Sequence, residues 1–203
     1  MRYVTTLVFL AAAAYATLRY NVFKGVPWSD WSTYVMNKAV ALSALAFMAL
    51  EVFRSRRYPD QGESYFLRIA GLFAATHVFL SLMLLSPAYY EKLYQQDKLT
   101  VSAGMSLALG AVTAAAMSLG AIRSRSSSTD GVVNDLAVLC FVIGLHAMLI
   151  GFAGWFAPLK WPGLMPPITL ISFLLGTAAL ASGLWPGRKF SDSHTNKPSD
   201  HTD

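Results

Sequence analysis

Two histidines stand inside apolar runs of this chain: His77 in "RIAGLFAATHVFLSLMLLSP" and His146 in "VLCFVIGLHAMLIGFAGWF". Imidazole ligates transition metals and carries protons near neutral pH, and an ionisable group at membrane depth is costly enough to be a functional hypothesis by default. His77 falls midway between Arg68 and Pro87, and His146 midway between Asp135 and Pro158. At helical rise both lie roughly 14–18 Å from either helix end, near the midplane and at matching depth. The third and fifth apolar runs travel in the same direction, so the two rings can face each other across a bundle. That is the geometry of bis-histidine axial ligation, one nitrogen on each side of a haem iron. Ala70, Gly71, Ala74 and Ser81 flank His77, and Gly144, Ala147, Gly151 and Ala153 flank His146, so a flat macrocycle could approach either backbone. The same small residues are the ordinary contact surface between membrane helices, and a membrane histidine equally serves as an interhelical hydrogen-bonding group. On the residues alone both readings stay open.

Lys38, in "TYVMNKAVALSALAFMALEVF", is the other notable charge, about one turn into the second run. It either snorkels to the headgroups or pairs with a propionate of a haem bound between the histidines. Glu51 is expected to meet Arg54 at i+3. Cys140 is the one cysteine and lies in an apolar run, so a disulfide or thiolate metal site within one chain is excluded. No triad, paired-carboxylate site, Walker loop or GxGxxG occurs, so no catalytic residue is assigned and hydrolytic or phosphoryl-transfer chemistry has no support.

The elements that must position these side chains follow from composition. Of 203 residues, 55% are hydrophobic and 13% charged, with mean hydropathy +0.45, against about 25% charged in soluble domains. A spanning helix needs about 20 apolar residues, and six runs qualify: about 4–20, 34–53, 66–86, 101–122, 133–157 and 167–185. The fold expected is an all-α integral membrane protein, a six-transmembrane-helix bundle over 1–186, with a disordered cytoplasmic tail over 187–203 in which His194 and His201 are solvated. Ten of the 16 Lys and Arg fall on the side of both termini, including Arg54, Arg56, Arg57, Arg123 and Arg125. The positive-inside rule therefore puts both termini in the cytoplasm, with Trp28, Tyr34, Tyr90, Trp155 and other interfacial aromatics outside. The net charge of +5 reports topology rather than nucleic-acid binding, because the basic residues sit at helix ends and not on an aromatic-interleaved patch. The first run also fits a cleavable signal peptide; retention is the expectation, and either outcome leaves the other five helices in the same orientation.

The order "NKAVALSALAFMALEVF", "FLRIAGLFAATHVFLSLMLLSPAYYEKLY", "LHAMLIGFAGWFAPLKWPGLMPPITLISFLLG" resembles the ferric-reductase-like transmembrane domain family, over about three quarters of the chain. The resemblance implies a haem b membrane cytochrome with His77 and His146 as axial ligands. NADPH oxidases and fungal ferric reductases carry a second histidine on each of these helices and hold two haems. Here the corresponding positions are Glu63 and Glu91 around His77, and Val133 and Leu159 around His146, so one haem is implied. In this the chain looks more like the single-haem metalloreductases of the six-transmembrane epithelial type, or the haem-bearing membrane subunit serving bacterial periplasmic methionine-sulfoxide reductase. No flavin or nicotinamide domain follows the last helix, so the expected donor is a cytoplasmic flavoprotein or membrane quinol. The expected acceptor is on the outer side, in a bacterial cytoplasmic membrane and amid its lipid. The competing expectation is a haemless scaffold or accessory subunit on the same bundle; a transporter has neither an inverted repeat nor a broken helix pair to support it.

Overall fold

The structure is a computed structural model describing residues 2–58, 65–123 and 129–185. Glu63, Arg125, His194, His201 and the tail over 187–203 lie outside the described residues. Six helices are long and apolar enough to cross a membrane: α1 (Arg2–Thr17), α2 (Met36–Arg57), α3 (Tyr65–Met83), α4 (Val101–Arg123), α5 (Thr129–Gly151) and α6 (Ile168–Leu184). Their boundaries follow local chemistry. Tyr58 leaves the helical region at φ −138° and ψ 75°, as a residue before proline tends to do. Pro167 precedes α6 with φ −59° and ψ 139°, its missing N–H harmless where no intrahelical partner exists. α3 stops at Met83, short of Pro87, and α5 stops at Gly151 rather than near 157, giving way to a 3₁₀ turn over Phe152–Gly154.

α2 is the central helix. Phe47, Leu45, Met48 and Val52 on it are fully buried, and it packs against α1, α3, α5 and α6. The others turn a face outward, and that face is oily: Leu7, Leu72, Phe79, Val112 and Leu174 are all exposed, the reverse of a water-soluble surface and what lipid accepts. Thr5 reaches Tyr65, and Arg56 reaches Asn134 and the carbonyl of Gly183. The start of α1 and the end of α6 therefore lie at one end of the bundle, with the odd-numbered connections at the other. Glu51 meets Arg54 at i+3, as expected, and also accepts from Ser55.

The tightest seam joins α5 to α6. A Cβ on Gly176 would stand 2.4 Å from the Cys140 carbonyl oxygen, one on Gly183 2.2 Å from Ala137 Cβ, and one on Gly144 3.1 Å from Phe173 Cα. Without Cβ atoms the two backbones approach closely, which is how membrane helices gain dispersion contacts where lipid removes the hydrophobic drive. By contrast α3 packs on α2 and barely touches α4, while α4 packs on α5.

Candidate functional site

The connection between α1 and α2 is short, and both flanking helix ends widen into π-helical turns, over Leu18–Phe23 and Trp31–Val35. Such turns re-aim side chains and recur at functional sites. Here they bring Tyr20 and Tyr34 around Lys38, whose Nζ lies 3.7 Å from the Tyr34 ring centre, 5.2 Å from Tyr20 and 5.5 Å from Tyr90. Arg19 and Lys24 also stand over the Tyr20 ring. Cation–π attraction accounts for the cage. Among the described residues no carboxylate pairs with Lys38; the Glu51–Arg54 pair is at the opposite end. Lys38 thus folds into an aromatic box rather than only reaching out to the headgroups.

The next residue back along α2, Asn37, leads to the first histidine. His77 Nδ1–H donates to Asn37 Oδ1 at 2.8 Å and lies 3.3 Å from Ser81 Oγ. Asn37 Nδ2 in turn donates to Ser81 Oγ and to the Tyr90 hydroxyl oxygen, each at 3.0 Å. Tyr90 sits in the connection between α3 and α4. Burial pushes its hydroxyl above the ordinary tyrosine value, opposed by its hydrogen bonds to Asn37 and Ser81.

His146 is held by α4. Its Nδ1–H donates to the Ser106 carbonyl at 2.7 Å, with Ser106 Oγ also 3.0 Å away, and the Ser106 hydroxyl donates back to the His146 carbonyl at 3.0 Å. A carbonyl can only accept, so the Nδ1 proton is fixed. The ring lies against Gly110, where a Cβ would be 3.1 Å from Cε1. The glycines expected to cradle a macrocycle beside His146 do something else: Gly144 and Gly151 abut Phe173 and Thr169 of α6.

Both histidines are half-buried. Neither Nε2 has a hydrogen-bond partner among the described residues. His77 precedes the end of α3 by six residues and His146 the end of α5 by five, or about 8–9 Å of rise. Both therefore sit toward the ends of α3 and α5 that lead into the odd-numbered connections, rather than at the middle of these helices, because α3 and α5 end earlier than their apolar runs do. Val133 is buried in the core and Leu159 is exposed. Asn37, Ser106 and Gly110 were not singled out by sequence, although an amide in an apolar run is a signal in itself.

No protein-family model matches this chain, and no curated protein matches it in sequence.

Proposed function

We propose that this chain is a single-haem b-type cytochrome of the bacterial cytoplasmic membrane, with both termini in the cytoplasm. It relays single electrons from a cytoplasmic flavoprotein or a membrane quinol to an acceptor on the outer side. The observation that carries this reading is a pair of imidazoles, each near the corresponding end of α3 and α5, each with its Nδ1–H committed to a neighbouring helix and its Nε2 left over. Among the described residues no group of three or more His, Cys, Asp or Glu is assembled. Two imidazoles alone therefore suit a metal that arrives with four ligands of its own.

When bound, a haem b would supply a one-electron carrier inside the bilayer. His77 and His146 would hold it by Nε2, and their Nδ1–H bonds orient the rings and raise their basicity, as outer-shell partners of ligating histidines do. Lys38, unpaired by any described carboxylate, offers a propionate its counter-cation.

A visible spectrum of the detergent-solubilised protein tests this. Low-spin bis-histidine haem b bands are expected, abolished by His77→Ala or His146→Ala; a colourless preparation from haem-replete cells would sink the reading. One observation favours a second function, a haemless scaffold: each histidine bond already ties two helices together, α2 to α3 and α4 to α5. In that case the double-alanine variant loses stability and no spectral feature changes.

A further inference from the structure

We propose that Asn37 is the positioning residue that presents the Nε2 lone pair of His77, an inference resting on the haem reading only where it concerns haem affinity. Asn37 is 1% exposed, and a buried amide is costly unless every polar atom is bonded. Its two Nδ2 hydrogens go to Ser81 Oγ and the Tyr90 hydroxyl oxygen, both at 3.0 Å. That leaves Oδ1, an acceptor, facing His77 Nδ1 at 2.8 Å. An acceptor there requires the proton on Nδ1, because a lone pair on Nδ1 would meet the lone pairs of Oδ1. Turning the amide over would put Nδ2 against Nδ1, move the ring proton to Nε2 and close the position a metal needs. In this orientation, with Nδ2 on the two hydroxyls and Oδ1 on the ring, Asn37 decides which nitrogen of His77 is available. His146 needs no such residue, since the Ser106 carbonyl can only accept.

The test uses the full chain, labelled with ¹⁵N-histidine in nanodiscs, with the His77 signals assigned by their loss in His77→Ala. Wild type and Asn37→Asp, which keeps an acceptor at this position, are expected to show the pyridine-like nitrogen resonance at His77 Nε2. Asn37→Leu is expected to show both tautomers. In hemin titrations Asn37→Leu should bind about tenfold more weakly, the low end for loss of an outer-shell partner. Asn37→Asp should restore affinity, with a lower midpoint potential. A pyridine-like Nδ1 at His77 in the wild type, or an unchanged tautomer in Asn37→Leu, overturns the inference. Wild-type protein with the Nδ1–H tautomer that takes up no hemin overturns the haem reading and leaves the positioning role of Asn37 supported. The wild-type tautomer alone decides the matter if Asn37→Leu does not fold.

Discussion

Gly110 offers a test of how His146 is held. An added methyl would stand 3.1 Å from Cε1 and 3.3 Å from Nδ1 of the imidazole, inside the 3.5–4.0 Å at which carbon atoms pack best by a few tenths of an ångström. The ring can yield that much, and the Nδ1–H bond to Ser106, now 2.7 Å, can lengthen toward 3.1 Å and still be a bond. Gly110→Ala is therefore expected to be near neutral, because the push is offset by about 1 kcal/mol of helix propensity. Gly110→Val is different: its branched methyls force the ring off Ser106. The lost hydrogen bond costs about 1 kcal/mol and the overpacking about 1–3 kcal/mol, so a net loss of about 2 kcal/mol is expected after the propensity gain. On the same helix, Gly104 has nothing within 4 Å of its Cβ position, and Gly104→Val should gain a few tenths of a kcal/mol. Unfolding free energies of the two valine variants in mixed micelles give the comparison, and the ¹⁵N tautomer pattern of His146 reports the site itself. Equal stability of the two variants, with an unchanged His146 pattern, would refute the reasoning.

Gly176→Ala should cost about 1–3 kcal/mol by overpacking, since its Cβ would meet the Cys140 carbonyl 2.4 Å away; the same unfolding assay checks this, and both histidine tautomers should stay as they are. Lys38→Met keeps the contact with Tyr20, Tyr34 and Tyr90 but removes a cation that no described carboxylate balances, so stability should hold or rise while hemin affinity, read by optical titration, falls severalfold. Tyr90, held above the ordinary tyrosine value of about 10, should remain a neutral hydroxyl between pH 7 and 9. Its raised value means that its contribution to stability is present below pH 10 and is lost as pH rises through the folded value. The His77 ¹⁵N shifts should accordingly be flat from pH 7 to 9 in wild type and in Tyr90→Phe alike.

The six helices were legible because lipid-length apolar runs admit few other structures, and the two histidines because charge-bearing groups are rare in such runs. Their distance from the helix ends differs from the expectation for a physical reason. The runs continue past Met83 and Gly151 into short turns that are apolar but not α-helical, so hydropathy places the α-helix ends too far out. The partners of the rings were harder to find. Ser106 acts chiefly through its backbone carbonyl, which no residue type announces, and Gly110 matters only because a ring from another helix rests on it. Asn37 was in plain view beside Lys38. Of the two it is the amide, not the charge, that makes the contact with His77. Gly144 and Gly151 show the converse: their closeness in sequence to His146 suggested a ligand cradle, yet at offsets of two and five residues they fall on the other side of the helix, where they form the seam with α6.

The sparse contact between α3 and α4 has a mechanical meaning. His77 rides on a helix clamped to α2, while the His146 ring is gripped by a helix clamped to α5, so the two imidazoles belong to opposite banks of a joint. Contact is dense within each bank and sparse between α3 and α4, so a change in the spacing of those two helices breaks fewer packed pairs than a slip within either bank. The spacing of the pair is then set by how the two banks rest against each other, and not by any one helix.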